Sequence, residues 1–290
     1  MPDYVIFTES TSDLTKEQIS NFGVEVIPLS FSIGKNNYKN DLGERDLTSK
    51  NFFDLLRKGN MSTTSQINMV EFMENFEKTL KQGKDILYLG FSSALSGTYA
   101  SALAAKKELS TKYPDRQILT VDTLSASAGE GLVVYLASKN KKAGFSLKKN
   151  ALFVEKNKLK VCHWIVVDSL DHLRRGGRVS QASAFLGSML GIRPILYVNN
   201  EGKLVPVQKV RGKKTALDKL TERIKETILP DADCTVFVCH ADAISDAEYL
   251  AESIRKGLDV EQIFINDMGP VIGSHAGPGT IALFFMGSQR

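Results

Sequence analysis

Along the first half of the chain, short apolar runs alternate with stretches where apolar side chains return every third or fourth position. Val5-Ile6-Phe7, Val24 to Phe31, Asp85 to Gly90 and Gln117 to Asp122 read as strands. Thr15 to Phe22, Asn51 to Lys58 and Met69 to Lys81 read as helices, and further helices follow the last two strands. A polar hairpin is expected around Gly34-Lys35-Asn36-Asn37. Strands separated by helices predict a mostly parallel sheet covered on both faces.

The pattern changes after about Gly144. A helix at Leu147 to Lys156 leads into VCHWIVVDSL, a strand that stops at Asp168. The cation-rich loop LRRGGRVS follows, then an Ala/Ser/Gly/Leu helix to Met189. IRPILYVNNEGKLVPVQKVRG reads as two strands joined by an Asn-Asn-Glu-Gly turn. Thr215 to Thr227 and Ser245 to Lys256 read as helices, CTVFVCH and Val260 to Asn266 as strands. The expectation is an α/β fold of two domains, a mostly parallel sheet domain and a smaller α+β domain. They are placed at residues 1–160 and 161–270, with 271–290 returning to the first.

Composition narrows the class. The chain has 290 residues, 42% hydrophobic and 24% charged, enough for a sizeable core and unlike a disordered chain. A net charge of +4, from 37 basic and 33 acidic residues, gives no basic stripe for nucleic acid. No apolar run approaches the ~18 residues of a membrane span. The N-terminus MPDYVIFTESTSDL lacks the layout of a signal peptide. Cys162, Cys234 and Cys239 sit in apolar runs, as buried thiols of a cytoplasmic protein do.

Common catalytic signatures are absent. Gly129-Glu130-Gly131 lacks the third glycine of a dinucleotide loop, and Gly212-Lys213-Lys214-Thr215 lacks the upstream glycine of a phosphate loop. Gly90-Phe91-Ser92-Ser93-Ala94 fails the last position of a nucleophile elbow, and no metal-ligand spacing occurs.

Three segments carry candidate chemistry. Met61-Ser62-Thr63-Thr64-Ser65-Gln66 is a hydroxyl-rich loop before a helix, with more hydroxyls than one helix cap uses. In ILYLGFSSALSGTYASALAAKKEL, a strand runs into a Ser96-Gly97-Thr98 turn and a helix. That turn sets hydroxyls and N–H groups where a helix dipole is positive, a place for an anion. Near the C-terminus, GPVIGSHAGPG sets His275 among four glycines and two prolines, which allow close backbone approach. Each segment has a purely structural alternative: a capping loop, an ordinary helix cap, a structural histidine.

TTSQ, SSALSGTYASA, LRRGGRVS, KVRGKKTAL and GSHAGPGTIAL, in this order, resemble the DegV family of bacterial fatty-acid-binding proteins, including the acyl-carrying subunits of fatty acid kinase. The resemblance spans nearly the whole chain. One departure is Ile67 after Gln66, where the family often has proline. The resemblance implies a long-chain fatty acid, C16 to C18, in a tunnel between the two domains. Its carboxylate would be bound at Thr64, Ser96 and His275, with Ser65, Gly97 and Thr98 as supporting donors. It also implies an ATP-dependent kinase as partner, no cofactor or metal of the chain's own, and no enzyme activity. Membrane contact would be transient, and no nucleic acid is expected.

Apolar positions in Ile27 to Ile33, Phe72 to Phe76, Phe185 to Ile192 and Ile281 to Met286 are candidates for the tunnel wall, with plain core as their alternative. Arg211 is the candidate for steadying a phosphoryl group, and the Arg174 to Arg178 loop for docking the kinase; either is otherwise a solvated charge patch. The competing class is a serine hydrolase or acyltransferase with Ser96 as nucleophile and His275 as its base.

Overall fold

The computed structural model describes residues 3–41, 47–179, 191–230, 233–288 and 290. Strands β1 (Tyr4–Glu9) and β2 (Val24–Ile27) flank helix α1 (Lys16–Phe22). Helix α1 is closed by a Thr15–Gln18 capping box and by Gly23, which turns left-handed with φ 66°. Strands β3 (Ser30–Ile33) and β4 (Asn36–Lys39), helix α2 (Ser49–Arg57) and strand β5 (Ser62–Ser65) come next. Helix α3 (Met69–Lys81), strand β6 (Asp85–Gly90), helix α4 (Thr98–Lys112) and strand β7 (Ile118–Asp122) complete a first sheet, of order β2-β1-β6-β7 and parallel throughout. All six residues of β6 are buried, as a strand covered on both faces requires.

Helices α5 (Ala128–Lys142) and α6 (Leu147–Asn157) lead to β8 (Val161–Val166) and the short helix α7 (Asp171–Arg175). The hairpin β9 (Ile192–Val198) and β10 (Leu204–Arg211), helix α8 (Lys213–Thr227), strand β11 (Thr235–His240), helix α9 (Ile244–Gly257) and strand β12 (Gln262–Asp267) follow. Helix α10 (Pro270–Ala276) and β13 (Ile281–Met286) end the chain. The second sheet has the order β10-β9-β8-β13-β11-β12.

The layers stack helix, sheet, helix, sheet, helix. Helices α3 and α4 cover one face of the first sheet, and α8 and α9 cover the outer face of the second. Helix α5 lies between, packed on β1 and β6 on one side and on β8, β11 and β13 on the other. It is buried almost all round, from Ala128 through Ser138, so its sequence shows no amphipathic stripe. Strand β13 divides its side chains by the two-residue period. Ala282 and Phe284 face the core shared with the first sheet, and Ile281, Leu283 and Phe285 face α8 and α9.

Several expectations change. The run Val24 to Phe31 is two strands, not one: Pro28 lacks a ladder donor, and the chain leaves the first sheet there. Strand β3 then joins a small antiparallel sheet of order β4-β3-β5. The hydroxyl-rich segment expected as a loop is β5 itself, with Thr64 opposite Phe31. Its alternating exposure suits a strand, but the pairing partner lies about thirty residues away and no local signal marks it. The LRRGG loop begins as helix α7, where Ser169 Oγ accepts from the Asp171 N–H at 3.1 Å. The segment 271–290 divides: α10 packs on α2, β3 and β5, whereas β13 lies inside the second sheet between β8 and β11. The helix expected to end at Met189 lies outside the described residues.

A network of buried acids joins these layers. Tyr88 donates to Glu9, the Phe91 N–H donates to Glu9 Oε1 at 3.2 Å, and Thr8 donates to Glu130 Oε1 at 2.7 Å. The Thr11 hydroxyl stands 3.3 Å from Glu9 Oε2 and 3.1 Å from Glu130 Oε2, bridging two carboxyl groups that are both fully buried. Burial pushes Glu9 up to about 7, and burial with Glu9 alongside pushes Glu130 well above its usual range. The folded protein thus keeps protons that an unfolded chain releases near 4.5. Stability is therefore expected to fall as pH rises from about 4.5 through about 7. Glu9→Gln, which supplies a permanent N–H toward Thr11, should raise the urea midpoint at pH 8 and flatten that slope. A slope unchanged in the variant would assign the pH dependence to other groups.

Candidate functional site

Four crossovers of the first sheet open onto one space. Thr11 follows β1, Leu29 follows β2, Phe91 follows β6, and Ala126 and Ser127 follow β7, all just beyond the carboxyl ends of parallel strands. Ligands of parallel sheets collect there, near the point where strand order reverses, here between β1 and β6. The inner face of the second sheet closes the space through Ile165 of β8 and Ala282 and Phe284 of β13, and α10 lies alongside. The cavity measures about 430 Å³, within the 300–1,000 Å³ usual for ligand sites.

Of the residues expected to hold a carboxylate, Thr64, Ser65, Ser96 and His275 line this cavity. Thr64 Oγ1 and His275 Nε2 are 2.9 Å apart. The neighbouring Ser62 and Ser274 hydroxyls, 2.7 Å apart, tie β5 to α10 a second time. Thr98 is buried behind the wall, where its N–H donates to Ser96 Oγ at 3.2 Å and its hydroxyl lies 3.0 Å from the same oxygen. It positions Ser96 rather than facing the cavity. Gly97 is outside the cavity wall too, and a Cβ there would stand 2.2 Å from the Gln66 side chain, itself a lining residue.

Among the described residues, Arg178 is the arginine that borders the cavity. Its Nε donates to the Leu95 carbonyl at 3.1 Å and its Nη1 to the Gly176 carbonyl at 2.5 Å. Arg174 is exposed and paired with Asp171 at 3.2 Å. Arg211 is exposed at the end of β10, opposite Ile192, and borders neither this cavity nor the cleft described next. Arg211, the residue expected to contact a phosphoryl group, is thus not brought to either of these two spaces. Arg178 was legible only as one cation in R-R-G-G-R; nothing in that run says which arginine borders the cavity.

A cleft of about 230 Å³ lies on the other side of the Thr64–His275 pair. It shares Thr64, Arg178 and His275 with the large cavity and adds Arg175, His172 and Ser62. The histidine is thus part of a partition between an apolar chamber and a cationic one. The chain passes tightly over its ring: a Cβ on Gly176 would be 2.3 Å from His275 Nδ1. Burial first, then the positive Arg178 and the neighbouring His172, push His275 down to about 4, so the ring is neutral. His275 Nδ1 is buried without a hydrogen-bond partner among the described residues.

Other wall expectations sort clearly. Leu29, Ala282 and Phe284 line the cavity, whereas Phe72 and Phe76 pack with Tyr88 beneath the first sheet, ring centroids 5.2 to 5.8 Å apart. Within Phe185 to Ile192, residues 185–190 lie outside the described part. Ser96 and His275 share a cavity, but Ser96 bonds to Thr98 and His275 to Thr64, so the paired nucleophile and base of a serine hydrolase is not assembled. Ser127, not singled out in the sequence, has φ 55° and ψ −147°, a strained conformation held by its 2.6 Å bond to Asp13.

The family profile described as "Uncharacterised protein, DegV family" matches residues 3–288. The chain belongs to the DegV family. This DegV protein is 46% identical over 290 residues to a DegV domain-containing protein of Clostridium perfringens, covering 100% of this chain and 99% of that one. Among solved structures it resembles a DegV family protein from Thermus thermophilus described by its fatty acid binding, with a TM-score of 0.87 and 30% identity over 98% and 99% of the two chains. A DegV lipid-binding protein from Thermotoga maritima gives 0.86 and 29% over 99% of each chain. DegV from Bacillus subtilis, described as a fatty-acid-binding protein, gives 0.82 and 28% over 98% and 99%.

In an NMR pH titration, His275 should stay neutral down to about pH 5 and protonate only near 4. Arg178→Gln removes the repelling charge and should raise that midpoint toward the ordinary histidine range, though burial still holds it below. A wild-type midpoint near 6.5 would mean that the ring is open to water.

Proposed function

We propose that this DegV protein binds one long-chain fatty acid without a covalent bond and presents its carboxylate for phosphorylation by a separate ATP-dependent kinase. The observation that carries the reading is the polarity of the cavity. Thr64, Ser65, Ser96, His275 and Arg178 gather at one end, and aliphatic and aromatic side chains make up most of the rest. A buried carboxylate is tolerated only where several donors meet it. The hydroxyls of Thr64, Ser65 and Ser96 supply such donors, Gly97 and Thr98 hold Ser96 in place, and Arg178 supplies compensating charge. Each buried methylene contributes ~0.8 kcal/mol, so about fourteen give on the order of 11 kcal/mol before ordering costs. The solved relatives described by fatty acid binding support the same reading.

Phosphorylation needs space for a phosphoryl group beside the carboxylate. The cationic cleft behind Thr64 and His275 offers it, with Arg175 and Arg178 able to accept the group through their planar forks. The exposed Arg174, next to Arg175 on α7, is the proposed contact for the kinase. The chain has no nucleotide loop of its own, so ATP and its metal belong to the partner. The proposed setting is the cytoplasm; among the described residues, no helix is long and apolar enough to cross a membrane.

Native mass spectrometry of the purified protein should show a mass excess of one C16 or C18 fatty acid, released by solvent without hydrolysis. Thr64→Ala with Ser96→Ala should weaken fatty acid binding by at least tenfold, the loss of hydrogen bonds worth ~1.5–3 kcal/mol each to a charged group. Arg175→Gln, at a residue that borders the cleft and not the large cavity, should keep most of the lipid and lose acyl-phosphate formation with the kinase. An acyl ester on Ser96, or a protein that takes up no fatty acid, would overturn the reading.

A further inference from the structure

Two strands and one helix give the cavity its direction. On β8 and the residue that follows, His163, Ile165 and Val167 line the cavity at every second position, a run of about 13 Å at ~3.3 Å per residue. On β13, Phe284 stands opposite His163 and Ala282 opposite Ile165, and Thr280 continues toward Val167. Thr280 Oγ1 donates to the Ala276 carbonyl at 3.0 Å, so the Val167 end is the His275 end. Helix α10 agrees: it starts just after Gly269, whose N–H donates to Asp13, and finishes at His275 and Ala276. Asp13 in turn holds Ser127, beside Ala126 and His163. His163 and Phe284 therefore stand at the end of the chamber remote from Thr64 and His275.

His163 is 1% exposed and both of its nitrogens are taken by backbone. Nδ1 is 2.9 Å from the Val161 carbonyl, which makes it the protonated nitrogen, and Nε2 accepts from the Ala126 N–H at 3.3 Å. Burial and the positive Arg290 keep the ring neutral. With its polar atoms engaged, the imidazole presents only carbon to the cavity, edge-on to the Phe284 ring at 5.3 Å. Behind it, α5 comes so close that a Cβ on Gly129 would stand 2.3 Å from His163 Nε2 and 2.8 Å from Phe284. The ring cannot retreat.

We propose that the His163–Phe284 pair, braced from behind by Gly129, is the end wall that sets the longest acyl chain this protein accepts. The inference rests on the fatty-acid reading above. It makes His163 a specificity-determining residue that never touches the carboxylate. A shorter side chain at position 163 lengthens the chamber, whereas a methyl at position 129 pushes both rings inward and shortens it.

The test is competition among saturated fatty acids from C14 to C20, supplied as an equimolar mixture to delipidated protein and read by native mass spectrometry. His163→Val, which suits a strand, should move the bound maximum to longer chains by roughly two carbons. Gly129→Ala should move it to shorter ones. Thr64→Ala should weaken all lengths alike and leave the maximum in place. Identical length profiles in wild type, His163→Val and Gly129→Ala would overturn the proposal, as would loss of every chain length in His163→Val with the thermal midpoint intact. A wild-type protein that binds no fatty acid from the mixture would overturn the reading beneath it instead.

Discussion

Helix α5 must be buried on two sides at once, and much of the molecule follows from that requirement. Its first sheet contact is through β1 and β6, its second through β8, β11 and β13. Small residues make this possible: Gly131 approaches the Ser12 carbonyl so closely that a Cβ would stand 2.8 Å from it, and Gly129 gives His163 and Phe284 their room. One helix with two apolar sides needs a sheet against each, so the two sheets face one another. The chamber lies beside the amino end of that helix, where the loops after the parallel strands have to diverge.

The same junction concentrates groups that a core normally excludes. Glu9, Asp13 and Glu130 are all buried, held by Thr8, Thr11, Ser127 and Tyr88 and by the N–H groups of Phe91 and Gly269. Burial pushes Asp13 up to about 7 as well. Thr11 and Ser127 donate their hydroxyls to these acids and line the cavity at the same time. The chamber wall is therefore polar on its hidden side and largely apolar on the side a ligand meets. At the opposite end the arrangement reverses, and Thr64, Ser96 and His275 come to the cavity surface. That asymmetry gives a ligand with one charged end a single favourable orientation.

His275 joins the two chambers because the chain allows three elements to meet there. Strand β5 brings Thr64, α10 brings the imidazole, and Gly176 lets the turn after α7 cross the ring. A neutral histidine suits this position, since the neighbouring Arg178 already supplies positive charge and would repel a buried imidazolium.

The sequence by itself determined the alternation of strands and helices, the parallel first sheet and most element boundaries, because these depend on local periodicity, caps and turn residues. Met69 to Lys81 and Asp85 to Gly90 fall where the pattern puts them. Motif resemblance also pointed to Thr64, Ser65, Ser96 and His275, all of which line one cavity. Tertiary structure decided the rest. Strand β5 exists because β3 pairs with it, and β13 lies in the second sheet because both of its faces find apolar cover there. Arg178 rather than Arg211 borders the cavity, and the ring at position 163 shares that cavity with Thr11 and Phe284, each more than a hundred positions away along the chain. Local pattern records which face of an element is apolar; only the packing of distant elements decides what that face meets.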